Sequence, residues 1–165
     1  MPRDDQTELF VVVDKNDRII GYKTRYECHH NNKLIHRGIG VILFNSADEI
    51  LLQKRSRAKD LFPGYYSIAT GGHVAKGETY LQAAKRELLE ELGIRARLNL
   101  ISKFIIKSER ECEMNTIFKG VHNGPFKLDP DEVDKVEFFP KDRVRSLINK
   151  LTPFANKSLK TLQIL

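Results

Sequence analysis

Four glutamates and one arginine between Gly72 and Ile94 are the side chains best placed to do chemistry: Glu78, Arg86, Glu87, Glu90 and Glu91. At 3.6 residues per turn, Glu87, Glu90 and Glu91 fall within an arc of roughly 100° on one helix face. Like charges three and four residues apart repel. A hard divalent cation, which takes oxygen ligands, relieves that repulsion. Arg86 shares the wheel position of Glu90 and can hold a carboxylate by charge-assisted hydrogen bonds. Glu78 stands at the helix entrance, where a negative charge suits the dipole. Taken without their surroundings, the same glutamates also describe a solvated acidic face.

These side chains need a helix, and the sequence supplies its signals. Thr79-x-x-Gln82 forms a capping box. Leu81, Ala84, Leu88 and Leu92 make an apolar stripe, and Gly93 sits where a glycine ends a helix. Residues 8–14, 18–22, 38–44, 49–54, 65–70, 98–107, 113–121 and 136–139 read as strands, with 38–44 and 49–54 as a central pair. Thr24 caps a short helix over 25–30, and residues 142–151 and 154–164 read as further helices. Strands and helices alternate without a regular βαβ repeat, which predicts a mixed sheet with helices packed on it.

The stretch from Gly72 to Ile94 resembles the Nudix box, G-x5-E-x7-R-E-U-x-E-E-x-G-U with U apolar. Gly72, Glu78, Arg86, Glu87, Leu88, Glu90, Glu91, Gly93 and Ile94 match every defined position. The resemblance implies an α/β fold, an α/β/α sandwich with a mixed β-sheet and a loop–helix–loop catalytic motif. It implies Mg²⁺, or Mn²⁺, held by Glu87, Glu90 and Glu91 with the Gly71 carbonyl, and attack of water at phosphorus. Such a metal neutralises phosphate oxygens and acidifies water. Glu90 or Glu91 is the expected base inside the box; Glu113 is the candidate outside it.

A wider stretch, roughly residues 9–165, is similar to the Nudix branch around type I isopentenyl-diphosphate isomerase. It is carried by Val13–Asp17 with Ile20-Gly21, Leu34–Arg37, Leu51–Ser56, Phe62–Tyr66 and Gly72–Val74. That resemblance implies a second metal site from His29, His36, His73, Glu111 and Glu113. It also places Arg25, Arg55 and Lys59 at basic positions that hold a diphosphate. The departures weigh against isomerisation. The catalytic cysteine before the Gly-His pair is Gly71 here. The chain has no tryptophan to support a carbocation, and Leu159 or Phe154 occupies that region. The box, typically degraded in the isomerases, is complete.

The 165 residues predict one domain over residues 1–165. The net charge of +6 favours anionic ligands. It also leaves room for a non-catalytic nucleotide or RNA-binding module, although no nucleic-acid motif is recognisable. The expected partner is therefore a small-molecule diphosphate and not a nucleic acid. No apolar run approaches the ~20 residues of a membrane span. Met1–Asp5 lacks the apolar segment of a secretory leader, so a cytoplasmic location is expected. Cys28 and Cys112 are expected to be free thiols. The sequence leaves a homodimer open, and Phe62, Tyr65 and Tyr66 could equally line a pocket or join the core.

Overall fold

The computed structural model describes residues 4–59 and 61–165. Met1, Pro2 and Arg3, part of the stretch behind the expectation of no leader, lie outside the described residues. No helix among the described residues is long and apolar enough to cross a membrane.

Strand β3 (Ile35–Phe44) is the centre of a mixed sheet. It runs parallel to β8 (Cys112–Val121) over its whole length and antiparallel to β6 (Thr70–His73). Its ends meet β1 (Leu9–Val13), which pairs with β2 (Ile19–Thr24), and β4 (Ile50–Arg55). Strand β4 carries β5 (Tyr66–Ser67) and β9 (Val133–Phe139), while β7 (Asn99–Lys107) pairs with β8.

Alternation along the central strands divides the core between two faces. Ile39, Val41, Leu43 and Leu51 pack with Ala83, Ala84, Leu88 and Leu92 of α2 (Tyr80–Leu92). Ile42, Ile50 and Leu52 pack against Val144 of α3 (Lys141–Ser146) and Ala155 and Leu159 of α4 (Pro153–Lys160). The short α1 (Arg25–His29) is capped by Thr24, as expected. Helix, sheet and helix make the three layers of the expected α/β/α sandwich.

Several expectations are corrected. The two strands read as a central pair meet only at Phe44 and Ile50, because β6 and β8 occupy the edges of β3. Residues 65–70 do not form one strand. The chain leaves β4 after Ser67 and joins β3 at Thr70, changing partners in between. Leu81 is exposed, and Ala83 completes the buried stripe of α2 in its place. Two adjacent small side chains let the helix lie close to the sheet. The helix read over 142–151 stops at Ser146, with a 3-10 turn at Ile148–Lys150.

One buried junction fixes the N-terminal end of α2. Asp17, in left-handed backbone at φ 62°, accepts hydrogen bonds from Arg37 (2.9 Å) and the Tyr80 hydroxyl (2.7 Å), and also meets Lys103. The β1–β2 turn, β3, β7 and the helix are thereby tied together.

Candidate active site

The box folds as a cap, a helix and a latch. Thr79 and Gln82 exchange both capping-box hydrogen bonds, and Gly93 closes α2 at φ 65°. Glu78 accepts from the Ala75 N–H (2.9 Å), which closes the turn before the helix. Its carboxylate is gripped by both edges of the Arg86 fork, at 2.7 and 3.0 Å. Arg86 also donates to Glu87 (3.0 Å), Glu90 (3.3 Å) and the His73 carbonyl (3.0 Å). One planar cation thus joins the loop, the helix and β6, which a single ammonium could not do.

Glu87 lies directly over Gly72: a Cβ there would stand 2.3 Å from Glu87 Oε1. Glu91 accepts from the Thr70 hydroxyl (2.6 Å) and Gln53 Nε2 (3.3 Å). Burial raises the Glu87 carboxyl to about 7; Arg86 opposes the shift, and Glu90 and Glu132 add to it. Burial, then the charge of Glu87, raises Glu91 to about 8, against the hydrogen bonds from Thr70 and Gln53. Glu90 is more exposed, at 58% of its side chain. Gln53 also donates to the Ala69 carbonyl (3.0 Å). Alternation along β6 turns the Gly71 carbonyl to the same edge as those of Ala69 and His73, both of which have donors. Carboxylate and carbonyl oxygens thus face this edge, the donor type that hard divalent cations take.

A second cluster lies beside the first. His36 of β3, His29 of α1, His73 of β6 and Glu111 each offer a ligand atom within 4.8 Å of the others. Among the described residues this is the set already converged, whereas the glutamates of α2 are each engaged by Arg86, Thr70 or Gln53. Glu113 stands 3.8 Å from both His36 and His73. Phe10 stacks on His73 at 4.5 Å between ring centroids. Burial drives His36 down to about 3, and holds His73 and His29 below their usual value, so all three favour the neutral imidazole that ligates metals. Both ring nitrogens of His36 are buried without a hydrogen-bond partner. Glu113 is pushed up to about 8 by burial and by Glu111.

The three basic positions all have partners inside the chain. Arg25 faces Glu8 (3.1 Å) and Asp4 (3.5 Å) and lies over the Phe10 ring. Arg55 donates to the Leu61 carbonyl (3.0 and 2.9 Å), and Lys59 pairs with Glu132 (2.6 Å). Phe62 and Tyr65 form an exposed aromatic pair at 5.6 Å, while Tyr66 packs on Phe139 in the second core. Cys28 and Cys112 are free and buried. The sequence reading missed Gln53, Thr70, Glu132 and the stacking role of Phe10. Gln53 and Thr70 are isolated polar residues in strands, and a buried polar strand residue is the only signal they offered.

The NUDIX domain model matches residues 34–162. The chain is 35% identical over 158 residues to the uncharacterized Nudix hydrolase PA4841 of Pseudomonas aeruginosa, covering 95% of this chain and 92% of that protein. It is 34% identical over 139 residues to the isopentenyl-diphosphate Delta-isomerase of Pectobacterium atrosepticum, covering 81% and 77%. The crystal structure of DR0079 from Deinococcus radiodurans has the same fold, with a TM-score of 0.76 at 20% identity over 95% of this chain and 97% of that one. The chain belongs to the Nudix family and is a hydrolase acting on acid anhydrides.

Proposed function

We infer that the protein hydrolyses a phosphoanhydride bond in a small organic diphosphate, nucleoside-diphosphate-linked compounds among them, with Mg²⁺ or Mn²⁺ as cofactor. The observation that carries this is the pair of buried carboxylates, Glu87 and Glu91, facing the carbonyl edge of β6 within a complete box. Two carboxylates forced out of water beside each other are costly unless protonated or paired with a cation. A divalent ion held by Glu87, Glu91, Glu90 and the Gly71 carbonyl would supply charge neutralisation and a more acidic water. Arg86 orients Glu87 and Glu90, Thr70 and Gln53 orient Glu91, and Glu78 locks Arg86 in place. Arg55 and Lys59, basic positions suggested by the resemblance, are our candidates to meet the diphosphate.

Isomerisation is disfavoured by packing as well as by sequence. At Gly71 the catalytic thiol is absent, and a Cβ there would meet the Phe154 ring at 2.9 Å. The same ring stands 2.7 Å from a Cβ built on Gly40, so Phe154 fills the room that a bulkier group at 71 would need.

A specific observation supports a second metal: the orphaned nitrogens of His36 among converged donors. Imidazole with carboxylate suits a divalent transition metal or Mg²⁺. The test of the main reading is a panel of diphosphates with Mg²⁺ and Mn²⁺, with products read by mass, comparing wild type with Glu91→Gln. Equal turnover in both removes the mechanism. Metal analysis of His36→Ala against wild type tests the second site, and an unchanged content removes it.

A further inference from the structure

A cleft of about 520 Å³ is lined by Lys54, Arg57, Lys150, Tyr65 and Asn149. It opens on the side of β4 away from the box. Gln53 faces Glu91 and α2, so by alternation Lys54 faces the α3–α4 layer with Leu52. One wall is the β4–β5 loop. The Arg55 N–H donates to the Tyr65 carbonyl (2.8 Å) and the Gly64 N–H to the Arg55 carbonyl (3.1 Å), which closes the loop as a hairpin. A Cβ on Gly64, at φ 73°, would meet nothing within 4 Å, so the backbone there lies open to a ligand. The other wall is the 3-10 turn. The Lys150 N–H donates to the Leu147 carbonyl (2.7 Å), Leu151 bridges to Tyr66, and the Thr152 N–H donates to the Tyr66 carbonyl (2.9 Å). Asn149 and Lys150 are thereby held beside the loop. Lys135 stands directly across from Lys54 on β9, where like charges repel. Among the described residues none of these four cations forms an ion pair with a carboxylate. Beside them stands the exposed pair of Tyr65 and Phe62 rings.

We propose that this cleft is a second, non-catalytic site that binds a free nucleotide, with its phosphates on Lys54, Arg57 and Lys150 and its base on Tyr65. The site is separate from the glutamates of α2 and does not depend on the hydrolase reading. Its volume falls in the range of small-ligand sites, about 300–1,000 Å³. Three cations gathered without counter-charge repel one another, and a polyphosphate relieves that repulsion. The Arg57 fork suits two phosphate oxygens at once, and the two lysines act as point charges. A nucleoside diphosphate carries about three negative charges near pH 7, one for each lining cation. Cations alone would accept any polyanion. The Tyr65 ring narrows the class, because an exposed aromatic face is a platform on which a base stacks. The Asn149 amide offers a donor and an acceptor to the base or the sugar.

The experiment is calorimetric titration of the full chain with α,β-methylene-ADP, whose P–C–P bridge resists hydrolysis, in chelator so that no divalent metal recruits it to the glutamates. Wild type is expected to bind one equivalent. Lys54→Ala/Lys150→Ala is expected to bind about tenfold more weakly or worse, and Tyr65→Leu about fivefold more weakly. Glu91→Gln should bind within about twofold of wild type, since it lies across the sheet. Inorganic tripolyphosphate should bind wild type more weakly than the nucleotide and be insensitive to Tyr65→Leu. Turnover of the best diphosphate should stay within about twofold in Lys54→Ala/Lys150→Ala. Thermal melts confirm folding, and Lys150→Glu, on the exposed turn, repeats the charge test with a single change. The proposal is overturned if wild type binds no nucleotide, or if the lysine variants bind as wild type does. It is equally overturned if Glu91→Gln abolishes binding or the lysine variants lose turnover, because the cleft would then be part of the catalytic site. Tripolyphosphate binding as tightly as the nucleotide, with Tyr65→Leu unchanged, would remove the base platform and with it the ligand class. A single-stranded RNA oligonucleotide that binds the cleft more tightly than the mononucleotide would replace the proposed ligand with a nucleic acid.

Discussion

Replacing Gly72 by alanine tests the metal site with one methyl group. The added Cβ would stand 2.3 Å from Glu87 Oε1, 2.5 Å from its Cδ and 2.8 Å from its Cγ. Non-bonded heavy atoms settle near ~3.5 Å, so the carboxylate must retreat by about 1 Å. Its retreat is resisted, because Arg86 holds Oε1 at 3.0 Å and the side chain is 14% exposed. Overpacking of this kind costs about 1–3 kcal/mol, and here the strain falls on the outer end of one side chain, so the lower end applies. The functional cost is larger: a misplacement of about 1 Å reduces rate by about 10²-fold. The internal control is Gly38→Ala, whose Cβ would meet Asn115 Oδ1 at 2.5 Å and Glu113 Oε2 at 2.7 Å, beside the histidines. The two variants are compared for turnover of the best diphosphate, Mn²⁺ affinity by calorimetry and thermal midpoint. Gly72→Ala is expected to lose turnover and metal affinity, with Gly38→Ala keeping more of both at a similar midpoint. If Gly72→Ala turns over within twofold of wild type while Gly38→Ala is inactive, the glutamates of α2 are not the working metal site.

Three further outcomes are expected. Arg86→Lys keeps the charge but loses the fork that joins Glu78, Glu87, Glu90 and the His73 carbonyl; a stability loss of about 1–2 kcal/mol in denaturant melts is expected, and an unchanged midpoint would count against the latch. In chelator, stability should fall as pH rises from 6.5 to 8. The folded protein holds protons on Glu87, Glu91 and Glu113 up to about 7, 8 and 8, whereas the unfolded chain has released them above the usual 4.5. Stability from these raised groups is complete below 4.5 and lost through 7–8, while the lowered histidines act only below 6.5. A midpoint that is level or rises over that window contradicts the burial of these carboxylates. Finally, saturating Mg²⁺ should restore stability above pH 7, by about 2.7 kcal/mol at a hundred times its dissociation constant, as read by calorimetric melts; no restoration would speak against a site on α2.

The box was legible because its reasons are local. Thr79 and Gln82 cap within one turn, Gly93 provides the left-handed end, and Glu87, Glu90 and Glu91 share a face through helical period alone. The close approach of Glu87 explains why position 72 carries no side chain. Strand positions were legible from alternation, but partners were not. Residues 38–44 are apolar on both sides because β3 is sandwiched between α2 and the α3–α4 layer. Nothing in that run says that β8 lies parallel beside it or that residues 65–70 change partners midway.

By itself the sequence determined the helix, its caps and the chemistry of its acidic face, because those depend on contacts within a few residues. Tertiary structure alone decided that Glu87 and Glu91 are buried while Glu90 remains more exposed. It also gathered three histidines from three elements around Phe10. Desolvation and charge coupling depend on distances between residues far apart in the chain, and those distances exist only once the layers have packed.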